Sequence, residues 1–504
     1  MNPVRFSPPE SLAAVIRAVA TLADADGLAA YVVGGTVRDV LLGRKAQDLD
    51  LAVTGEAAPF ARRLAQVLGG HFVELDEDRG IYRVVLRSPS LDGPRYVDVA
   101  AMQGTLDQDL RRRDFTIDAM GVKLGDGDVI DPTGGVADLR ARVVRMTDAS
   151  VLEDDPLRLL RCARIAAELR FEVEAVTASE VWARASTVTG AAGERQRDEL
   201  ARVFGLADAH AGLRLLDELG LLDVVLPEVA EGKGVTQPLQ WHAYDVFEHG
   251  MRAVEAMDLM LAHERPTNER AWMWEVLWST FEWREDELRS HLAEQLSAGR
   301  PQALLLKIAA LLHDVGKPQT RTVDAEERIR FFGHADAGAT IATRIMRRLR
   351  FSAAEVRYVS LLVEEHLRPV QLAQAGEIPT KRALYRFNRA LDDATPDVLL
   401  LALADAAGSR GPALTSGGWA RHVAYMNSLL VRSLEGVGIL HAPSLLTGDD
   451  VMTEAAIAPG PTVGKLLDAL REAEAVGEVT STDEARRFVR RLARNMNTTH
   501  AGEG

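Results

Sequence analysis

Residues 30–53 read AYVVGGTVRDVLLGRKAQDLDLAV, and this stretch decides the fold. Ala30-Tyr31-Val32-Val33 is a short apolar run, expected to be a strand. It runs into Gly34-Gly35. A glycine pair between a strand and a helix lets a phosphate come close to backbone N–H groups. Asp48 to Val53 (DLDLAV) alternates charged and apolar residues, as a second strand should. Alternation places Asp48 and Asp50 on one face, where they can share a divalent cation. Alone, each feature is weak: Gly-Gly turns are common, and a surface strand can carry alternating acids. Side by side they fit metal-assisted phosphoryl or nucleotidyl transfer.

Reading outward, residues 10–24 form an expected helix with Leu12, Val15, Ile16, Val19 and Leu22 on one face. Phe60 to Leu68 reads as a helix; His71–Leu75, Tyr82–Leu86 and Tyr96–Ala100 read as strands. Ile117–Leu124 and Val129-Ile130 are expected to continue the sheet. A third strand carboxylate, Asp98, lies in RYVDV. From about residue 150 the pattern is almost wholly helical, beginning with Leu157–Leu169 and Asp198–Phe204. Residues 211–222 follow, closed by Pro227. A further helical block runs from Trp241 to about 410, with a Trp- and charge-rich excursion at 263–300. Gly408–Gly418 is a break, and the tail is helical again around a turn at Pro459-Gly460-Pro461. The expected class is α+β: a mixed α/β head (1–145), then all-helical segments at 146–240, 241–410 and 411–504.

The chain has 504 residues, too many for one ordinary core. With 47% hydrophobic and 26% charged residues it is not a disordered chain. The single cysteine, Cys162, excludes an intramolecular disulfide framework and a Cys-rich zinc site. MNPVRFSPPESL has no charged-then-apolar signal pattern, and no run of about 18 apolar residues exists, so a cytoplasmic location without a membrane span is expected. The net charge of −15 argues against nonspecific coating of nucleic acid. Basic strings at Arg111–Arg113, Arg158–Arg170 and Arg486–Arg494 can serve as local RNA contacts or simply as solvated helix faces.

Further strings follow the Gly pair in order: Arg112-Arg113-Asp114-Phe115-Thr116, Asp131-Pro132-Thr133-Gly134-Gly135, Asp154-Asp155-Pro156-Leu157-Arg158, and Arg195 with Glu199 at i and i+4. In combination they resemble the class II tRNA nucleotidyltransferases, the CCA-adding enzymes and their bacterial poly(A) polymerase relatives, over about residues 25–230 and onward. The resemblance implies a polymerase-beta-like head and Mg²⁺ on Asp48 and Asp50; Asp98, taken from the strand pattern, is a further candidate catalytic carboxylate. It implies a triphosphate turn of Gly34, Gly35, Arg38 and Asp39, and ribose recognition by Arg113 and Asp114. It makes Asp155 and Arg158 the base-reading pair, with Asp154 in the family's usual Glu position and Arg161 one turn on. An Asp acceptor and an Arg double donor can pair with the edges of cytosine or adenine. Arg195 and Glu199 match a bracing pair. Arg112, Arg195, Arg486 and Arg490 are candidate RNA contacts. The implied partners are the tRNA 3′ end, CTP and ATP; the oligomeric state is left open.

Two departures stand out. Asp118 replaces the family's usual Asn. The connection Ala100–Arg111 is short, where CCA-adding members commonly carry a longer flexible loop implicated in the switch from C to A. Full CCA addition is the leading expectation; CC addition, A addition or poly(A) synthesis is its rival. The turn Asp76–Gly80 is a candidate substitute lever.

A second constellation begins at Phe247-Glu248-His249 and continues with His313-Asp314-Val315-Gly316-Lys317, His334, Glu365-His366 and Asp405. It resembles an HD-type metal phosphohydrolase domain. The implied ligands are His249, His313, Asp314, His334, His366 and Asp405, for Mn²⁺, Fe²⁺, Ni²⁺ or Mg²⁺. Lys317 is a candidate phosphate contact. His242 and His441 are expected to be ordinary hydrogen-bonded histidines. The reading from another class is an HD phosphohydrolase with an RNA-binding N-terminal module.

Overall fold

A computed structural model describes residues 4–77, 80–87, 93–297, 299–374, 379–440 and 443–500. Asp78 and Arg79 of the proposed lever turn, and His441, lie outside the described residues. The chain divides into two compact units, Met1–Leu206 with Ala211–Val225, and Ala207–His210 with Leu226–Gly504.

The first unit is built on a seven-stranded sheet: β1 Ala30–Val33, β2 Asp48–Val53, β3 His71–Asp76, β4 Ile81–Val85, β5 Tyr96–Ala101, β6 Gly121–Lys123 and β7 Val129–Ile130. The order across it is β3-β4-β5-β2-β1-β6-β7. Only β2 and β5 pair in parallel, with Asp50 registered against Asp98; the other neighbours are antiparallel. Leu49, Leu51 and Val53 are buried, so the opposite face of β2 carries the two aspartates. Helix Gly35–Leu41 follows β1 directly, as the Gly-Gly turn predicts.

Sequence patterning fails at Ile117–Leu124. Thr116–Asp118 is a 3₁₀ turn, and only Gly121–Lys123 pairs in the sheet. The polar side chains explain it. The Thr116 hydroxyl donates to Asp138 Oδ2 at 2.7 Å, and Asp118 accepts from Arg38 Nη1 at 2.7 Å. Buried polar groups with such partners override an apolar run. The DPTGG string is a capping device: Asp131 accepts from the N–H groups of Gly134, Gly135 and Val136 at 2.9, 2.8 and 2.9 Å.

In the second unit the expected start of a helix near Trp241 moves to Val246. Asp245 caps helix Val246–Met260, accepting from Glu248 N at 2.7 Å. The helical block also contains two small hairpins, Gln295–Ser297 with Arg300–Pro301 and Thr322–Val323 with Ile329–Arg330. Helix Gln302–Leu312 buries every side chain except Ala303 and carries His313 at its end. Such all-round burial marks a central core helix. Helix Thr395–Arg410 crosses Val246–Met260 closely at Gly408. A Cβ there would lie 3.0 Å from Ala253 N and 3.2 Å from His249 O. That contact sets Asp405 beside His249. Helices Gly448–Ala455, Pro461–Ala475 and Thr482–His500 enclose a separate small core of Val451, Leu466, Leu470 and Val489. No helix among the described residues is long and apolar enough to cross a membrane.

Candidate nucleotidyltransferase and metal sites

The first site lies where the turn after β1 meets β2 in the middle of the sheet, with Gly34 buried and Asp48 and Asp50 half-buried. Gly34 has φ +68°, the left-handed region that costs other residues ~1–2 kcal/mol. An added Cβ would also stand 2.8 Å from Arg113 Nη1 and 3.1 Å from Asp50 Oδ2. Backbone conformation therefore favours glycine at 34, and a side chain there would displace the Arg113 guanidinium. Thr36 ties the turn to the strand: its hydroxyl donates to Asp48 O at 3.1 Å and accepts from Asp50 N at 2.8 Å. Arg38 is buried and points back beneath the turn. Its Nε donates to Asp39 Oδ1 at 2.9 Å and its Nη1 to Asp118 at 2.7 Å. The Asp118 departure thus sets a carboxyl against Arg38; burial raises it and the Arg38 charge opposes the rise.

Burial pushes the Asp50 carboxyl up to about 6, with Asp98 and Asp48 adding to the rise and Arg113 opposing it. Burial also raises Asp48, against the charge of Arg83. Clustered carboxylates that resist ionisation are what a hard divalent cation relieves, and an oxygen-only donor set suits Mg²⁺. Asp98 is already engaged: Arg83 Nε and Nη2 donate to its two oxygens at 2.7 Å each.

Asp154 is exposed at the end of helix Ser150–Asp154. Asp155 is extended between that helix and Leu157–Leu169. Its Oδ1 accepts from Leu157 N at 3.2 Å and its Oδ2 from Arg195 Nη2 at 2.7 Å. Arg158 Nη1 donates to Val151 O at 2.8 Å. Arg161 lies 3.1 Å from Asp114, joining helix Leu157–Leu169 to the RRDFT segment. Arg195 and Glu199 do brace this helix: Arg164 Nε donates to Glu199 at 2.6 Å. Glu199→Ala should cost ~2 kcal/mol, because Arg164 is buried and keeps only Glu168. A thermal melt shifted by less than a degree would show the brace to be idle.

Arg112 donates to Gln103 Oε1 at 2.7 Å and to its carbonyl at 3.1 Å, while remaining exposed. The short connection is folded. Thr105 and Gln108 form a capping box at helix Leu106–Arg111, and Leu106 and Leu110 pack on Val33 and Ala52. In the tail, Arg490 donates to Glu454 at 2.6 Å and Arg486 lies 3.5 Å from it.

The second site is a knot of imidazoles around Asp314. His249, His313 and Asp405 form one candidate metal group, and Asp314, His334 and His366 another. Asp314 touches both: Oδ2 lies 3.1 Å from His249 Nε2 and 3.3 Å from His313 Nε2, Oδ1 3.3 Å from His334 Nε2 and 3.7 Å from His366 Nε2. The Nδ1 atoms of His313, His334 and His366 sit 2.8, 2.7 and 2.7 Å from the carbonyls of Ala310, Phe331 and Val363. Donation there leaves Nε2 as an acceptor, the tautomer a metal needs. His334 Nε2 is buried without a hydrogen-bond partner, and the Nε2 atoms of His249 and His313 face each other at 2.9 Å. Burial opposes charge on His249, yet Asp314 and Asp405 hold it up at about 9. Burial, followed by the charge of His313, pushes His366 down to about 4. Facing acceptors around buried carboxylates fit divalent metal. Lys317 Nζ lies 2.6 Å from Asp314 Oδ2 and donates to Gln237 at 2.7 Å, so its charge is spent inside the cluster.

A family model described as the poly A polymerase head domain matches residues 30–145. One described as a probable RNA and SrmB-binding site of polymerase A matches 170–233, and one for the HD domain matches 287–407. The A-adding tRNA nucleotidyltransferase of Deinococcus radiodurans is 38% identical over 92% of this chain and 95% of its own. The chain belongs to the tRNA nucleotidyltransferase and poly(A) polymerase family.

Among other members, the CC-adding tRNA nucleotidyltransferase of Thermus thermophilus is 35% identical, covering 91% of this chain and 93% of that one. That of Geobacter sulfurreducens is 32% identical over 95% of each. The fold is shared with a CCA-adding enzyme solved with ATP, at TM-score 0.60 and 18% identity over 97% and 99% of the two chains. His249 falls outside the matched HD range, yet the nucleotidyltransferase's second unit brings it into the cluster.

Sequence reading missed Thr36 and Arg83 and took His242 for a bystander. Thr36 lay within the quoted turn, where a hydroxyl one residue beyond Gly35 is a usable signal. His242 precedes helix Val246–Met260, its ring edge-on to His249 at 5.1 Å and its buried Nδ1 without a hydrogen-bond partner. Burial, then the charge of Lys317, pushes it down to about 3. It is not the ordinary hydrogen-bonded histidine expected.

Proposed function

We propose that this chain transfers nucleotides to the 3′ end of tRNA without a template, and that it adds the two C residues and stops. The observation that carries the second part is the Ala101–Arg111 connection. Its second half is the capped helix Leu106–Arg111, anchored by Leu106 and Leu110, with Arg111 paired to Asp107 at 2.9 Å. A lever that reshapes the site from C to A needs slack, and this segment has none. The CC-adding relatives support the same reading.

Asp48 and Asp50 are the residues that would hold Mg²⁺, with Asp98 alongside. Bound Mg²⁺ supplies charge neutralisation on the triphosphate and a more acidic terminal hydroxyl. Gly35 offers its backbone N–H to the phosphates, Gly34 N–H donates to Met120 O at 3.2 Å and holds the turn, and Arg38 and Asp39 support it from beneath. Arg113, beside Gly34 and Asp50, faces the phosphate and ribose region, and Arg161 holds Asp114 in place. Asp155 and Arg158 read the base, an acceptor and a double donor side by side at the start of helix Leu157–Leu169. The HD cluster holds a divalent transition metal, and the protein works in the cytoplasm.

A second reading, addition of the terminal A, is favoured by the 38% identity to the Deinococcus enzyme. The test uses tRNAs ending before C74, before C75 and before A76, each with CTP, ATP or both. Extension by two C residues and no further, with ATP inert, is the expected result. Incorporation of A on the tRNA ending in CC rejects the C-only reading.

A further inference from the structure

We infer that Arg83 is a positioning residue: it fixes the Asp98 carboxylate and draws on its charge, and so limits how tightly Asp48 and Asp50 bind a divalent cation. This rests on the assignment of Asp48 and Asp50 as a cation site.

The argument begins with register. Arg83 on β4 is opposite Asp98 on β5, and Asp98 is opposite Asp50 on β2. Neighbouring strands lie ~4.8 Å apart, so the three side chains form one row across the sheet face. In that row the guanidinium fork closes on Asp98, 2.7 Å from each oxygen. The Arg83 guanidinium also lies over the Tyr96 ring at 4.6 Å, and Tyr96 is registered against Asp48. One positive charge therefore spans the flank of both candidate ligands.

A bidentate arginine takes two of a carboxylate's roughly four lone-pair positions and fixes its rotamer. Asp98 keeps capacity for a cation, but at reduced negative charge and in a set orientation. The charge drawn from Asp98 weakens cation binding in the free enzyme. A purely structural ion pair would affect stability alone, since the strand register is already fixed by backbone hydrogen bonds.

The test is Mn²⁺ binding to the nucleotide-free, full-length protein, followed by the electron paramagnetic resonance of free Mn²⁺. The HD cluster also binds, so the relevant class of sites is assigned as the one that Asp50→Asn removes. Arg83→Met should tighten that class about tenfold. Arg83→Met combined with Asp98→Asn should return it to within about twofold of the wild type, because the released carboxylate is then gone. Arg83→Gln, which keeps a hydrogen-bond donor, serves if the Met variant does not fold, with tightening in the same direction. Unchanged or weaker binding in the neutral variants, with the Asp50-dependent class present, overturns the role of Arg83 alone. Tightening that persists in the double variant also overturns it, since the effect would not pass through Asp98. If Asp50→Asn removes no class of sites, the cation assignment itself falls, and the inference with it.

Discussion

Asp50→Asn should abolish nucleotide incorporation, by about 10³-fold or more, while leaving the fold and the metal content of the HD cluster intact. Asparagine keeps the shape and the β2 register, so the loss isolates charge. Asp50 sits where Gly34, Arg113 and Asp98 converge, and burial already pushes its carboxyl up to about 6. A group held in that environment is expensive to leave ionised unless a cation uses the charge. A thousandfold loss corresponds to roughly 4 kcal/mol of transition-state stabilisation. Single-turnover incorporation of labelled CMP into tRNA lacking its triplet measures it. A variant retaining more than about a tenth of the wild-type rate would remove Asp50 from the chemistry. Phosphate release by the HD cluster, if the wild type shows any, should survive, which separates this reading from an HD phosphohydrolase with a passive RNA-binding head.

The parts of this site that were legible in the sequence are those set by local spacing. The β1 strand, the Gly pair and the Asp-x-Asp strand need only a period of two and a left-handed turn, and all three appear where expected. Leu157–Leu169 was equally legible, because its buried Leu and Ile positions recur at helical spacing. What could not be read depends on partners far along the chain. Thr116 and Asp118 sit in an apolar run, and only Asp138 and Arg38, 22 and 80 residues away, pull that run into a turn. Arg83 looks like any solvent-facing strand residue until the register sets it against Asp98. Asp155 offers an acid to a base, yet Arg195, 40 residues on, already takes one of its oxygens. The HD histidines were legible for a different reason: buried imidazoles paired with aspartates have few uses, so residue type carried the signal that spacing did not.

Residue type did not reveal that the six candidate HD ligands are unequal, and this leads to the second large effect. Asp314→Asn should empty the whole cluster, whereas His366→Ala should empty only half of it. Asp314 presents one oxygen to His249 and His313 and the other to His334 and His366, so it belongs to both groups. Against the pull of burial, the charges of Lys317 and His313 hold its carboxyl well below the usual range, keeping it an anion. An amide in its place offers one neutral oxygen and leaves Lys317 without its carboxylate, at 2.6 Å the nearer of its two polar contacts. Removing the charge strips the shared ligand and adds a repelling ammonium. His366 contributes to one group only, and His249, His313 and Asp405 remain to hold a metal without it. Elemental analysis of the full-length protein after equilibration with Mn²⁺, Fe²⁺ or Ni²⁺ reads both variants. The expected metal content is near zero for Asp314→Asn and about half the wild-type value for His366→Ala. A buried charge change can cost ~3–5 kcal/mol, so thermal melts must show a folded chain in each case. His334→Gln, at the edge of the cluster, provides a milder variant for the same half. If folded Asp314→Asn keeps its full complement of metal, the carboxylate is not shared, and the two groups bind independently. If His366→Ala or His334→Gln loses all of it, the two groups fill only as one, and the division into halves is wrong.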